Sequence, residues 1–507
     1  MPRAHSSCPI DDVLSAVARR YRIPASIPAS IPAVPPLAAP AAAINPATEL
    51  ALIIEQARLA TAKGHSPDPT LQDAFTNWLA RLIQDAMRPV HGDFAFQAMV
   101  LRHRVPRVRE YASLSAHAEQ DRRAVLAAVN AIAHPGKQQR LPPGPLRETL
   151  TQLQALAASA SWSALSDIAR RSLSVPAFTE AAAIARGLAK LQDDPGLARL
   201  QRLAVLAGDD QVRQYEVLWD RRGPRSGSAQ AAALGKTTQQ RGAAAEALAA
   251  QALQAWACKL GEAQGDPTSY RVVTSMRVPA SLAANAERAK TEWDVVLLRR
   301  RRHNDGSPDT GLAQAPGACA TQSDAVRAHN GQAAREVMGS GDCWDICLVA
   351  EVKSSVDAAT TDYPRLLRGL RLLAQADGTV CYPFACQQGV IEVRGASLRT
   401  LPIDSYRVAT AVLYCCDAER DASPRLLNAA SRMQLLSAPE SLAYAARLAE
   451  NAAADPALLQ PVWHKLLSSP QWQPVLRQYA TLHQVRELMV HVADLADAIA
   501  GHRPPGA

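Results

Sequence analysis

The sequence predicts a mixed α and β protein in which a small α/β core lies between mostly helical N-terminal and C-terminal regions. Three observations support this fold class. Hydrophobic residues make up 48% of the 507-residue chain, which is enough to form a sizeable core. Aromatic residues make up only 5% beside abundant alanine, a composition that favours helices over large β-sandwiches. Runs typical of strands are confined to residues 270–416, so only this part is predicted to contain a sheet.

The N-terminal region is predicted to be helical apart from one linker. Residues 1–22 contain a single short helix. Residues 23–46 hold seven prolines, and because proline cannot donate a backbone hydrogen bond, we expect an extended linker there. Residues 47–222 repeat apolar positions three and four apart between breaks with proline and glycine, which predicts a helical domain. Residues 221–240 contain Gly, Ser and Arg and are predicted to form a loop.

Residues 240–416 are predicted to form the α/β core, and residues 422–500 a C-terminal helical region. The predicted order in the core is helix, three strands, helix and strand. A polar segment, residues 301–341, interrupts the series of strands and is predicted to be an insertion. The predicted helices are Ala243–Leu260 and Asp362–Ala376, and the predicted strands are Tyr270–Val278, Glu292–Leu298, Trp344–Val352 and Arg407–Cys415.

Among the charged residues, the lysines are the most informative. Basic residues outnumber acidic residues by 55 to 47, a net charge of +8. This surplus is compatible with a polyanionic partner such as nucleic acid, but it is too diffuse to establish one. Only eight of the basic residues are lysines and 47 are arginines. Each lysine is therefore more informative than each arginine.

The nine cysteines follow neither a disulfide framework nor the CxxC pairing of structural zinc sites. We therefore expect reduced thiols and a cytoplasmic protein. The first twenty residues lack the apolar segment and cleavage site of a signal peptide, so none is expected. The longest uncharged run is interrupted by prolines, so we expect no membrane-spanning helix.

A Glu-x-Lys tripeptide ends one of the predicted strands. The apolar run that ends at Ala350 continues directly into Glu351, Val352 and Lys353. Side chains alternate along a strand, so Glu351 and Lys353 are expected to lie on the same face. A salt bridge at the end of a strand would explain this tripeptide equally well. The tripeptide indicates a functional site only together with other acidic residues.

Two further acidic residues occupy unusual positions. Asp294 lies at the start of the apolar strand Val295–Leu298, although aspartate is disfavoured in strands. A second carboxylate beside Glu351 would favour a shared cation. Glu246 lies on the apolar stripe of the first core helix. It either faces a polar site or is a solvated acid in the first turn, where the helix dipole favours negative charge.

Together these elements resemble the PD-(D/E)xK nuclease superfamily. The match includes Arg-Gly-x-x-x-Glu on the helix, Glu-x-Asp followed by apolar residues on one strand, and an apolar residue followed by x-Glu-Val-Lys on the next. These forms are most similar to the Holliday-junction resolvase and Mrr-like restriction endonuclease branches. The resemblance covers residues 240–416, about a third of the chain, and implies a restriction-endonuclease-like core.

The resemblance also implies roles for individual residues. Asp294 and Glu351 would bind Mg²⁺ or Mn²⁺ through carboxylate oxygens, with the Val352 carbonyl as a further ligand. Lys353 would orient the attacking water and stabilise charge on the phosphate. Glu246 would bind a metal-coordinated water or a second ion. Oxygen ligands suit a hard cation, and a nearby lysine suits a reaction that builds negative charge on phosphate.

Several arginines are candidates for phosphate binding. They follow the Asp294 strand or lie on the second core helix, where a solvated basic surface is an equally good interpretation. The candidates are Arg299, Arg300, Arg301, Arg302, Arg365 and Arg368.

The predicted function is that of a metal-dependent nuclease that hydrolyses phosphodiester bonds, with DNA as the expected substrate. The helical flanks would bind a protein partner or a second copy of the chain, and no membrane is involved. The alternative is a non-catalytic nucleic-acid-binding or scaffolding protein that retains a nuclease-like fold, because fold does not fix function.

Overall fold

A computed structural model describes residues 11–23, 45–224, 227–283, 287–301, 343–404, 407–419 and 426–502. Most of the predicted linker and nearly all of the predicted insertion lie outside these residues. The protein is α+β and 65% helical, with a strand region flanked by helices. The predicted mixed class is therefore confirmed at this level. Among the described residues, no helix combines the length and apolar character required to cross a bilayer.

The helices are numbered in chain order. They are α1 (Asp11–Ala16), α2 (Pro46–Ala62), α3 (Pro69–Ala86), α4 (Phe94–Arg104), α5 (Pro106–Ser115), α6 (Ala118–Ala133), α7 (Pro135–Gln138), α8 (Pro145–Ala158), α9 (Trp162–Ser172), α10 (Pro176–Thr179), α11 (Ala182–Gln192), α12 (Pro195–Leu206), α13 (Asp210–Arg221), α14 (Ala229–Ala263), α15 (Ala280–Ala283), α16 (Val356–Leu373), α17 (Gly395–Thr400), α18 (Ala429–Leu436), α19 (Pro439–Ala449), α20 (Gln460–Ser468), α21 (Gln473–Leu476), α22 (Gln478–Leu488) and α23 (Val492–Gly501).

The strands belong to one sheet. They are β1 (Tyr270–Arg277), β2 (Glu292–Arg301), β3 (Cys343–Val352), β4 (Cys381–Cys386), β5 (Gly389–Arg394), β6 (Val412–Cys416) and β7 (Met489–His491).

The chain forms two compact units. One contains residues 1–27, 234–424 and 479–507, and the other contains residues 28–233 and 425–478. The boundary at residue 479 falls within 422–500, which the sequence analysis treated as a single helical region. We call the first unit the sheet unit and the second the helical unit.

The helical unit is held together by apolar faces of successive helices. Fully buried leucines and valines from α6, α8, α9 and α11 meet in one core, including Val125, Leu150, Leu165 and Leu188. Two other helices of this unit, α3 and α12, begin with proline after an aspartate whose side chain accepts a backbone N–H, as Asp194 does from Gly196. This arrangement satisfies a free donor at the start of the helix.

The sheet order is β2-β1-β4-β5-β3-β6-β7, and an additional pairing of β2 with β3 closes a small barrel. β1 pairs antiparallel with β2, and β2 pairs antiparallel with β3. β3 then runs parallel to β6, with α16 as the helix between them. The start of β3 pairs with β5 and its end pairs with β6. β3 is thus a central strand, and its C-terminal end lies between β2 and β6.

Helices cover both faces of the sheet. On one face, α16 packs with Tyr363, Leu366 and Leu370 against a core that includes Val349 and Val412. On the other face, α14 contributes its own apolar side chains, and α1 and α23 join the same core. The apolar residues of α14 in this core include Ala249, Leu253 and Trp256. Because β3 is covered on both faces, its sequence is almost uninterruptedly apolar.

The structure differs from the predicted elements in several places. Residues 422–500 were predicted to be helical throughout, but they include the strand β7, which pairs with β6. Residues 229–240 belong to the long helix α14, not to a loop, because alanine and glutamine there are good helix formers. The predicted strand 407–415 is shortened, since a 3₁₀ turn occupies Val408–Thr410 and β6 begins at Val412. The hairpin of β4 and β5 was not predicted. β4 contains Pro383, and because proline is rare within strands, the sequence did not indicate a strand there.

The expectation of reduced thiols is wrong for one pair of cysteines. Cys343 at the start of β3 and Cys381 at the start of β4 form a disulfide. Their separation of 38 residues follows no recognisable spacing, and only the folding of the hairpin brings the two strands together. The cysteine argument for a reducing compartment therefore no longer holds.

Candidate active site

Asp294 and Glu351 lie on neighbouring strands at the same level of the sheet. Val295 and Ala350 are the last pair of the β2–β3 ladder, and Asp294 and Glu351 are the next residues beyond this pair on the two strands. Because facing residues of antiparallel strands point to the same side, both carboxylates point to the side of α16. Glu351 is fully buried, whereas the side chain of Asp294 is 18% exposed. The site is thus open to solvent at Asp294.

The ammonium group of Lys353 contacts three oxygen atoms. Its Nζ atom donates to Oδ2 of Asp294 at 2.9 Å, to Oε2 of Glu351 at 3.0 Å and to the carbonyl oxygen of Val352 at 3.1 Å. The backbone N–H of Val352 also donates to Oδ2 of Asp294 at 2.9 Å. The ammonium thus contacts all three groups that the resemblance assigns as metal ligands. A cation already occupies the position between these oxygens.

Glu351 retains one unsatisfied oxygen. Its Oε1 atom is buried and has no hydrogen-bond partner among the described residues. An unpaired buried carboxylate oxygen is costly, because desolvation is not offset by a new contact. In the ionised form of Glu351, this oxygen is therefore available to a further cation or donor.

Lys290 is a second lysine in the cluster that the sequence analysis left without a role. Its Nζ atom forms an ion pair with Oε2 of Glu351 and lies 3.9 Å from Oδ1 of Asp294. The side chain is only 10% exposed. The only indication of a role for Lys290 in the sequence was that lysine is rare among the basic residues. No local pattern links Lys290 to residues on β3.

Asp362 on α16 was also missed. Its Oδ2 atom accepts a hydrogen bond from the hydroxyl of Tyr414 at 3.2 Å and lies 3.8 Å from Nζ of Lys290 and 4.0 Å from Nζ of Lys353. Tyr414 pairs with Glu351 across β3 and β6. The sequence could have indicated Asp362 through its position on the buried face of a helix, since a buried acid requires a polar partner.

Glu246 approaches the cluster from α14, on the opposite side of the sheet from α16. Burial first, and then the negative charge of Asp294, raise its pKa, while Lys353 opposes this shift. In the part of the chain that the structure describes, no hydrogen bond or ion pair engages this carboxylate directly. Glu246 is therefore near the cluster but not tied to it.

The carboxylates of Asp294 and Glu351 differ in their affinity for protons. Burial, reinforced by the charge of Asp294, raises the pKa of Glu351 to about 8, although Lys353 and Lys290 oppose the shift. Burial also acts to raise the pKa of Asp294, but the charges of Lys353 and Lys290 outweigh it and the pKa is lowered. For Lys353, burial acts to lower the pKa, but Glu351 and Asp294 outweigh it and raise it. Neighbouring acids with divergent pKa values are typical of functional sites.

The cluster contains several carboxylate oxygens, which are the kind of donor that a hard divalent cation prefers. Four carboxylates, from Glu246, Asp294, Glu351 and Asp362, accompany the ammonium groups of Lys290 and Lys353. With all four acids ionised, which for Glu351 requires a pH above its pKa of about 8, the cluster carries two excess negative charges. Mg²⁺ prefers oxygen ligands and commonly binds only one or two protein carboxylates while keeping several waters. Among the described residues, however, no group of three or more His, Cys, Asp or Glu side chains is arranged to hold a metal ion.

The structure does not bring the predicted arginines of β2 to the site. Arg301 lies seven residues beyond Asp294, which corresponds to about 23 Å along a strand. Its Nε atom donates to Asp345 at 3.0 Å, and Arg300 pairs with Asp266 at 3.2 Å. These side chains are therefore engaged in ion pairs at the far end of the strand. Arg299 lies 3.9 Å from Asp345, and Arg302 lies outside the described residues.

The predicted arginines of α16 lie closer to the cluster. Arg365 follows Asp362 by one helical turn, and its side chain is exposed. Its carbonyl oxygen accepts the backbone N–H of Lys290 at 3.1 Å. Arg368 is partly buried, and its Nε atom donates to the carbonyl of Arg288. Of the two, Arg365 is better placed to meet a ligand.

Comparisons of the chain with known protein families, with curated proteins and with solved structures gave no match.

Proposed function

We propose that this protein is a metal-dependent nuclease that hydrolyses phosphodiester bonds of nucleic acid, with DNA as the expected substrate. The observation that supports this function best is the placement of one ammonium group on the Asp294 carboxylate, the Glu351 carboxylate and the Val352 carbonyl. These three oxygens come from two strands and converge on a single cation. A site that gathers hard oxygen ligands around one cation suits Mg²⁺ or Mn²⁺.

The order of elements supports a restriction-endonuclease-like core. A helix precedes the antiparallel strands β1, β2 and β3, and α16 then leads to β6, which runs parallel to β3. This is the order that the resemblance implies for the superfamily. The β4 and β5 hairpin and the closure of the barrel are additions to it.

The side chains of the cluster have separable roles in this proposal. Asp294, Glu351 and the Val352 carbonyl would hold the metal, which when bound would polarise the phosphate and lower the pKa of a bound water. Lys353 lies at the same face and would stabilise negative charge that develops on the phosphate. Glu246, which has no ion-pair partner among the described residues, would accept a hydrogen bond or a proton from the attacking water.

A non-catalytic protein is the second candidate. The observation in its favour is that Lys290 and Lys353 already pair with both central acids. Buried ion pairs of this kind also occur in proteins without activity. The excess of carboxylates and the unpaired Oε1 atom of Glu351 favour the nuclease, because a purely structural cluster has no need for a surplus of buried acid.

Incubation with single-stranded, duplex and branched DNA in the presence of Mn²⁺ or Mg²⁺ tests the proposal. We expect metal-dependent cleavage of at least one substrate, inhibition by a chelator, and loss of cleavage in Lys353→Ala. The matched control is Lys259→Ala, since Lys259 binds backbone carbonyls near the C-terminus of the sheet unit. If the wild-type protein leaves all three DNA substrates and RNA intact with both metals, the non-catalytic alternative takes its place.

A further inference from the structure

Lys290 shares one carboxylate oxygen with Lys353. The Nζ atoms of both lysines contact Oε2 of Glu351. The two ammonium groups differ in their other neighbours. Lys353 also reaches Asp294 and the Val352 carbonyl within hydrogen-bonding distance. Lys290 remains 3.9 Å from Asp294 and 3.8 Å from Asp362.

This difference separates the two lysines when a metal binds. A metal ion bound by oxygens at about 2.1 Å cannot share the same three oxygens with an ammonium group. Lys353 contacts all three of these oxygens, so its ammonium would have to give way. Of these three oxygens, Lys290 contacts only Oε2 of Glu351, so it does not compete with a metal for the other two.

The backbone of Lys290 is fixed between β2 and α16. Its N–H donates to the carbonyl of Arg365 at 3.1 Å. Its carbonyl lies directly over Gly369, where an added Cβ atom would come within 2.7 Å of that oxygen. Gly369 therefore permits the close approach of α16 to this segment. Lys290 thus extends from a rigid support toward Glu351.

We propose that Lys290 is a positioning residue, which holds the carboxylate of Glu351 in place when the ammonium of Lys353 gives way to the metal. This inference rests on the proposed function. Glu351 is fully buried, and its other oxygen has no hydrogen-bond partner among the described residues. Once Lys353 has moved, Lys290 is the remaining cationic contact that orients this ligand. Residues that orient a metal ligand in this way commonly change metal affinity by about 10- to 100-fold.

Calorimetric titration of the full chain with Mn²⁺, in the absence of nucleic acid, tests this inference. We expect Lys353→Met to bind Mn²⁺ about tenfold more tightly than the wild type, because the competing ammonium is removed. We expect Lys290→Met to bind Mn²⁺ at least about tenfold more weakly. A general electrostatic effect would instead strengthen binding in both variants, since each loses one positive charge.

A conservative variant protects the test against misfolding. Lys290→Arg retains the positive charge, and we expect its Mn²⁺ affinity to stay within about threefold of the wild type, with circular dichroism as the control for folding. The inference is overturned if Lys290→Met binds Mn²⁺ as tightly as the wild type or more tightly. If Lys290→Met does not fold, a more than tenfold loss of Mn²⁺ affinity in folded Lys290→Arg overturns the inference. Failure of the wild type to bind Mn²⁺ overturns the proposed function itself, together with this inference.

Discussion

The two ends of the β2 and β3 pair both gather charged side chains, but in opposite proportions. At one end, Asp294 and Glu351 form, with Asp362, a cluster of three carboxylates around the two ammonium groups of Lys290 and Lys353. At the other end, Asp345 is the acid, and Arg301 and Arg394 donate to it at 2.7 to 3.0 Å. The cations are in excess there.

This contrast distinguishes a structural ion pair from a binding site. Asp345 has both carboxylate oxygens engaged, and the Cys343–Cys381 disulfide fixes the same end of β3. Glu351 is more deeply buried and yet leaves Oε1 without a partner in the described part of the chain. A fully satisfied acid contributes to the fold, whereas a buried acid with spare capacity can bind a further cation.

The largest expected effect is on cleavage. Asp294→Asn and Glu351→Gln should each lower the rate of metal-dependent cleavage by at least about 10³-fold, because each removes a charged ligand while keeping its shape. Binding of nucleic acid should be retained, since a negative charge facing the phosphates is lost. Cleavage of labelled DNA and a parallel binding assay measure the two effects.

Asp345→Asn is the matched control, because it removes the buried acid from the far end of the same strand. It should leave the cleavage rate within about threefold of the wild type. A loss of activity in Asp345→Asn as large as that in Glu351→Gln would remove the distinction between the two ends.

The second effect concerns pH and metal-free stability. The pKa of Glu351 is raised from 4.5 to about 8 in the folded protein, so between these values the folded state holds a proton that the unfolded chain has released. Its contribution to stability is therefore complete below pH 4.5 and is lost as the pH rises through 8, with a slope of at most about 1.4 kcal/mol per pH unit.

Denaturant unfolding of wild type and Glu351→Gln across this pH range measures that slope. The amide does not titrate, so the difference between the two proteins should shift steadily in favour of the variant as the pH rises. A constant difference from pH 5 to 8 would show that the burial of Glu351 does not perturb its proton affinity.

The third effect concerns the disulfide at the far end. Cys343→Ser should lower the free energy of unfolding by about 2–4 kcal/mol, as expected for a crosslink that closes a loop of this length. Cleavage activity should be preserved, because the site lies at the other end of β3. Peptide mapping without reductant should find Cys343 and Cys381 in one linked pair. Free thiols at both positions in the isolated protein would contradict the pairing.

The smallest effect concerns binding of the nucleic-acid backbone. Arg365→Ala should weaken DNA binding about threefold and reduce the dependence of the binding constant on salt by about one phosphate contact. Arg301→Ala should leave this salt dependence unchanged, since Arg301 pairs with Asp345 far from the site. Equal salt dependence of DNA binding in the two variants would contradict the prediction that DNA binds at the end of the sheet that carries the cluster.

The sequence by itself determined those features that depend on short-range periodicity. Alternation along a strand placed Glu351 and Lys353 on one face, and the apolar runs located β1, β2 and β3 to within a few residues. Helical spacing located α16 and the C-terminal part of α14. These patterns are readable because each residue's orientation follows from its immediate neighbours.

The tertiary structure alone decided which distant residues complete the cluster. Lys290 reaches Glu351, and Asp362 lies near Lys290, only because the segment before β2 packs against α16 over Gly369. The same dependence on distant contacts explains the Cys343–Cys381 disulfide, which requires the hairpin of β4 and β5 to fold beside β3. Contacts between residues far apart in the chain leave no periodic signal, because packing of whole elements, and not local backbone preference, brings them together.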